Sequence, residues 1–333
     1  MRTVTFSAVL TFLLGVFPLV APAQNSNSSG IGIGPLAAPA KPTPAQIPTP
    51  TIQVDVHLVN VFVNVSDAKG SPVGGLIKDN FTLTEDGHPQ KIAVFDRESA
   101  MPLSIVLAID TSGTVRKDMS IEEHAAREFV HALLRPVDQL ELMQFSSDVY
   151  EVVSFTNNLR RIDSGLERLR GGPATALYDT IYLASQNLAG CPGRKVLVLI
   201  SDGTDTVKGV DFGRALEQAL RSEVLVYSII DVPIAADAGR DTGGEHALIT
   251  LSQETGGKFY YAESAGLEQA FQRVSEDLRT QYLLGYYPSR RSADPGFRAI
   301  SVKLAGVPAS TDYSLQHRTG YYPAPAGKTG TKE

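Results

Sequence analysis

A chain of 333 residues is too long for one average domain of roughly 100 to 200 residues and fits about two. Its 30 basic and 36 acidic residues leave a net charge of −6, which argues against a nucleic-acid binder held mainly by phosphate contacts, and no basic run forms a local patch. The one cysteine, Cys191, cannot make an internal disulfide, so stability has to come from packing.

Residues 1–23 combine an early Arg2, an apolar stretch from Phe6 to Val20, and small residues at Ala21 and Ala23. This reads as a secretory signal cleaved after Ala23, and implies export to the periplasm or beyond the cell. The stretch is shorter than the ~20 residues of a bilayer helix and Pro18 interrupts it, so no integral membrane span is expected in the mature chain. Residues 24–50 are Pro, Ala, Ser, Gly and Asn with almost no charge, a composition that cannot bury enough surface to offset its ordering entropy. They read as a flexible tether, and 324–333 as a disordered tail.

From 51 to 100 the apolar residues alternate. Ile52, Val54, Val56 and Leu58 share one face, and Val59, Val61, Val63 and Val65 follow after a one-residue slip. Turn sequences at Asp67–Gly70 and around Asp86-Gly87 flank "NFTLTE" and "KIAVFD", which predicts a small β unit.

From 101 to 280 continuous apolar strands, Leu103–Ile109, Val196–Ile200 and Val224–Ile230, alternate with amphipathic helical segments. One helical stripe is Ile121, Ala125, Phe129 and Leu133, with His124 and His131 on its solvated side. A second is Leu159, Ile162, Leu166 and Leu169, with Thr156 as its N-cap, and a third is Leu267, Phe271, Val274 and Leu278. Strands apolar on both faces, alternating with helices, predict a doubly wound, mostly parallel α/β sheet. Residues 281–323 return to β character, and Gly-Tyr-Tyr-Pro occurs twice, at Gly285–Pro288 and Gly320–Pro323, read as two strand ends with amphipathic tyrosines at an edge. The two β flanks should meet in a small sheet or sandwich, with the α/β domain as an insertion.

Ligands of an open α/β sheet bind outside the carboxyl ends of its strands. Asp110 closes the first apolar strand in "VLAIDTSGT" and Asp202 closes another in "KVLVLISDGTD". Between them "LRGGPATALYDTI" supplies Gly171, Gly172 and Thr175. Three loops thus bring Asp110, Ser112, Thr114, Thr175 and Asp202 to one edge. Two carboxylates with three hydroxyls are hard oxygen ligands that suit Mg²⁺ or Mn²⁺, and suit zinc poorly because no His or Cys falls in these loops. An underneutralised ion attracts a carboxylate from a partner.

"DTSGT" resembles the Asp-x-Ser-x-Ser motif of the von Willebrand factor type A (VWA) domain, with Thr114 in place of the last serine. "ATALYD" at Ala174–Asp179 is similar to that family's threonine loop, and "SDGTD" at Ser201–Asp205 to its second aspartate loop. The resemblance implies a metal-ion-dependent adhesion site. Ser112 and Thr114 would ligate directly, Thr175 directly or through water, Asp110 and Asp202 largely through water, and an Asp or Glu carboxylate of a protein partner would complete the shell. The flanks "DNFTLTEDGHPQKI" and "RTGYYP" resemble those of secreted bacterial VWA-related proteins.

A structural VWA domain without metal-dependent binding and a phosphotransferase compete with this reading. "DTSGT" also resembles the nucleophile loop of haloacid dehalogenase-like phosphatases, with Asp110 phosphorylated, but Ser112 stands where that family needs a second carboxylate and the phosphatase has no use for Thr175. No Gly-x-Ser-x-Gly elbow, His pair at helical spacing or phosphate-binding loop with lysine occurs, so the expectation is a binding module and not an enzyme. The polar loop Asp231–Glu245 follows a strand end and reads as a specificity rim.

Overall fold

The computed structural model describes residues 58–97, 101–113, 119–231, 242–262, 266–289, 296–307 and 312–323, all within the unit Val54–Glu333. The stretches expected to be a secretory signal, a tether and a tail, together with the alternating stretch 52–57, lie outside the described residues, as does Thr114.

The centre is a six-stranded sheet. β5 (Leu103–Asp110) lies between β6 (Gln139–Phe145) and β8 (Arg194–Ser201), both parallel to it. β7 (Val149–Thr156) runs antiparallel beyond β6; β9 (Val224–Asp231) and β10 (Phe259–Ala262) extend the sheet in parallel beyond β8. The order is β10-β9-β8-β5-β6-β7. Every residue of β5 is buried, which explains its unbroken apolar run: Ile105, Leu107 and Ile109 face one helical layer, Val106 and Ala108 the other. The first layer is α1 (Met119–Leu133), α2 (Leu159–Leu166) and α6 (Leu267–Thr280); the second is α3 (Leu177–Ala189), α4 (Phe212–Arg221) and α5 (Thr242–Thr255). The doubly wound sheet expected from the apolar runs is present.

Details of the helices differ from the expectation. The N-cap of α2 is Asn158, whose side chain accepts a hydrogen bond from the Arg161 amide at 3.3 Å. Thr156 still ends β7, and its hydroxyl accepts from the Asn158 amide at 3.2 Å instead. Both are capping residue types, and the strand's last pairing, Thr156 with Leu140, decides between them. Ile121 is exposed, so the buried apolar stripe of α1 begins at Ala125, after the buried Glu122. His124 and His131 are exposed as expected, and Cys191 is a free thiol in the turn after α3.

The β flanks do meet. β1 (Val59–Ser66), β4 (Ile92–Arg97), β11 (Tyr282–Tyr286) and β13 (Ser314–Gln316) form a sheet in the order β13-β1-β11-β4. β2 (Phe81–Glu85), β3 (His88–Gln90), β12 (Arg298–Leu304) and β14 (Gly320–Tyr321) form the other, ordered β14-β12-β2-β3. Each interleaves N- and C-terminal strands, and the two share one core containing Val61, Leu83, Leu284 and Val302. The β2–β3 hairpin turns through Asp86 and Gly87 with φ of 48° and 78°, the left-handed pair that a two-residue hairpin loop needs.

Both repeats stand at strand ends as expected, at the end of β11 inside one sheet and of β14 at the edge of the other, but the first tyrosine of each is turned inward while Tyr287 is exposed. Tyr286 and Tyr321 are buried, and both hydroxyls donate to the same Oε2 of buried Glu85, at 2.7 and 2.9 Å. The Arg298 guanidinium approaches the other oxygen at 3.3 Å. A phenol surrounded by apolar strands needs an acceptor, and one carboxylate serves both.

Candidate metal centre

The chain visits β5, β6 and β7 on one side of the sheet and then returns to β8 on the other side of β5. The gap between β5 and β8 is therefore the switch point at which loops diverge and leave a crevice. Asp110 and Asp202 stand at this gap, Asp110 as the last residue of β5 and Asp202 directly after β8.

Asp110 is fully buried. One carboxylate oxygen accepts from the Ser112 amide at 2.9 Å and the other from the Ser201 hydroxyl at 2.7 Å. Burial pushes its pKa up to about 6 despite these hydrogen bonds, and the neighbouring charge of Asp202 pushes the same way. Among the described residues no cation pairs with it.

Ser112 is buried and forms an isolated parallel bridge with Gly172, whose amide also donates to the Thr111 carbonyl at 3.0 Å. The glycine is required here, because a Cβ at 172 would come 2.3 Å from Ser146 Oγ and 2.7 Å from its Cβ. Thr175 is buried but is not the cap of α3, a position that Ala176 holds. Its backbone is pinned instead: its amide donates to Thr206 Oγ1 at 2.8 Å and its carbonyl accepts from the amides of Thr206 and Val207. Asp202 is half-buried, and its Oδ1 accepts from the Thr204 amide at 2.9 Å. Asp205 accepts from the Tyr178 amide in the first turn of α3, at 3.2 Å, and so ties the second aspartate loop to the threonine loop.

Asp110, Ser112, Thr175 and Asp202 thus sit on three mutually bonded loops. Thr114 lies outside the described residues. In the sequence Ser201 is only the residue before Asp202; its bond to Asp110 depends on β5 and β8 being neighbours, which a linear reading does not reveal. Ser146, against Gly172 and the Ala176 amide, is hidden from a linear reading in the same way. Of the loop 231–245, residues 232–241 lie outside the described residues, but its end reaches the site. Gly203 has φ of +90°, and a Cβ on Gly244 would come 2.0 Å from the Gly203 carbonyl oxygen, so the start of α5 rests on the second aspartate loop.

The donor chemistry fits a hard divalent cation: a desolvated carboxylate without a counter-charge among the described residues, a second carboxylate close enough to raise its pKa, and hydroxyls in adjoining loops. No group of three or more His, Cys, Asp or Glu side chains gathers among the described residues, so hydroxyls would have to supply part of the shell.

Comparison with known proteins agrees with this architecture. Residues 105–204 match the family model of the von Willebrand factor type A domain. The α/β part of the chain is therefore similar to that class of domain, from within β5 through the aspartate after β8. No curated protein matches the chain. Solved structures similar to it include an aerotolerance-related membrane protein from Bacteroides fragilis, 16% identical, covering 53% of this chain and 98% of that one, with a TM-score of 0.42. The vWF domain of the type V pili tip protein Mfa5 from Porphyromonas gingivalis is 13% identical, covering 54% of this chain and 95% of that one, with a TM-score of 0.45. Proximal thread matrix protein 1 from the mussel byssus, with a zinc-occupied MIDAS motif, is 14% identical, covering 55% of this chain and 49% of that one, with a TM-score of 0.44.

Proposed function

We propose that this chain is a protein-binding module that captures an acidic group of its partner through a divalent cation, Mg²⁺ or Mn²⁺. Asp110, Ser112, Thr114, Thr175 and Asp202 would hold the ion, and the ion would supply a positive centre with an affinity for carboxylate oxygen. The observation that carries the reading is Asp110: a wholly buried carboxylate, hydrogen-bonded by the Ser112 amide and the Ser112 and Ser201 hydroxyls and within the influence of a second acid, is costly unless a cation offsets the charge. The family match over 105–204 supports it, because VWA domains act in protein–protein interactions and not generally in catalysis. The loop 231–245 would form the rim that selects the partner.

The division into a leader over 1–23, a tether over 24–50, β segments over 51–100 and 281–323, and a VWA-like domain over 101–280 belongs to the same proposal, as does export of the chain. Among the described residues no helix is long and apolar enough to cross a membrane. Calorimetric titration with Mg²⁺ and then Mn²⁺ tests the site. The parent chain should bind saturably and Asp110→Ala should not; a parent that binds neither ion rejects the metal-dependent reading.

A further inference from the structure

β7 ends the six-stranded sheet, pairing with β6 on one side and with no strand on the other among the described residues. Its pairing with β6 shifts register twice, between Thr156 and Val153 and between Val153 and Glu151, so β7 is bulged, but its outer edge meets no strand among the described residues and offers backbone groups to a further one.

Beside this edge α2 and the turn after it divide their charges. Asp163 and Glu167 point to α1, Asp163 meeting His131 at 3.0 Å and Arg127 at 3.7 Å, and Glu167 meeting Arg127 at 3.4 Å. Arg160, Arg161 and Arg168 are exposed and have no carboxylate partner among the described residues. With Val152 and Ser154 of β7 they line an open groove of about 580 Å³. Gly165 lets the helix sit close enough to make this groove, since a Cβ there would come 2.4 Å from Val153. One acid, Glu151, is also in the groove, and its carboxylate accepts a hydrogen bond from the Ser154 hydroxyl. The linear sequence shows no basic run here, because Asp163 and Glu167 interrupt it; helical spacing separates the two signs.

We infer that this groove docks an extended acidic segment of a partner protein, which adds as a strand to the free edge of β7 and sets its carboxylates against Arg160, Arg161 and Arg168. Guanidinium forks bind carboxylate and phosphate alike, so the arginines alone do not choose between them. The strand edge does: a polypeptide carries backbone donors and acceptors at the ~3.3 Å rise of β7. Because α2 covers one face of the sheet, alternate residues of the added strand face the arginines, and the segment should read acid at every second position. This surface is separate from the cation site and does not rest on it.

The test uses a fluorescein-labelled peptide of alternating glutamate and valine, titrated with the full chain by anisotropy in the presence of EDTA. Binding should be saturable and weakened by salt. It should fall by about tenfold or more in the triple variant Arg160→Ala, Arg161→Ala, Arg168→Ala, the loss expected for a few partly exposed charge pairs. Asp110→Ala should bind as the parent does, which separates this site from the proposed cation centre. A peptide N-methylated at alternate amides keeps its carboxylates but cannot pair with β7, and it should not bind to the unmodified protein. Equal binding of the N-methylated peptide, equal binding by the triple variant, or retention of phosphatidylglycerol vesicles with no binding of the peptide would each overturn the proposal.

Discussion

Glu85 in the β-sandwich and Asp110 in the α/β sheet are both carboxylates removed from water, 2% and 0% exposed, and the chain offsets the same desolvation in different ways. Around Glu85 the protein supplies everything: two phenol hydroxyls on one oxygen and a guanidinium near the other. The partners respond in turn, since burial and the bond to Glu85 push the Tyr321 hydroxyl up to about 12 and raise Tyr286 as well. Around Asp110 the described residues supply an amide, the hydroxyls of Ser112 and Ser201 and another acid, but no cation. A carboxylate neutralised from within holds strands together. One left short of positive charge at a crevice is suited to an ion that arrives from outside.

The sharpest way to break this comparison is Glu85→Ala. It takes the shared acceptor from two buried phenols and one partner from Arg298, and the loss of stability should be about 3–5 kcal/mol, as for other buried pairs cut on one side. Denaturant unfolding measures it, and the Mg²⁺ affinity of whatever remains folded should match the parent. A parallel loss of ion affinity at temperatures where the variant is folded would show that the two regions are coupled.

Glu141 on β6 is a third buried carboxylate and an intermediate case. It is 0% exposed, accepts one hydrogen bond from Asn187 at 2.7 Å, and its other oxygen has no partner. Burial raises its pKa from 4.5 to about 7, with the charge of Glu151 adding to the shift. The native carboxyl thus keeps its proton up to about pH 7, while the unfolded chain gives it up near 4.5. Unfolding releases a proton in that window, so this group's contribution is full below pH 4.5 and is lost as pH rises through 7. Glu141→Gln should therefore stabilise the chain by up to about 3 kcal/mol at pH 8 and by little at pH 4.5, an effect read from thermal unfolding at the two pH values. Equal effects at both would show that Glu141 is charged throughout.

The elements were more legible than their contacts. The apolar runs at Leu103–Ile109 and Val196–Ile200 identify strands because both faces of the central sheet are covered, so composition and burial coincide. Asp110 and Asp202 stand out because an apolar run stopping at an acid marks a strand's carboxyl end. What acts on those acids was not legible. Ser201 reaches Asp110 across 91 residues of chain, and Tyr286 and Tyr321 reach Glu85 across 201 and 236, separations over which no local period applies. The Gly-Tyr-Tyr-Pro repeat was seen, but its meaning depended on two strands from different sheets meeting a third. The charges of "LRRIDSGLERLR" are mixed along the sequence, and only the fold sorts them. The cap of α2 was misplaced by two residues, because Thr156 and Asn158 are both suited to capping and only sheet pairing assigns the first to β7.

The finest version of the comparison removes one hydroxyl from each carboxylate. Tyr321→Phe takes a 2.9 Å donor from Glu85, and Ser201→Ala takes a 2.7 Å donor from Asp110. Each should cost about 1.5 kcal/mol in the absence of divalent ions, the scale of a hydrogen bond to a charged group. With saturating Mg²⁺ the two should part. The cost at Glu85 has no reason to change, since its positive partner is Arg298. The cost at Asp110 should shrink, because a bound cation meets the same charge that the serine hydroxyl had been satisfying. Unfolding midpoints of the parent and both variants, with Mg²⁺ and with EDTA, give the four differences. If Ser201→Ala is as costly with the ion as without it, then Asp110 is a structural acid like Glu85, held by hydrogen bonds and a raised pKa alone.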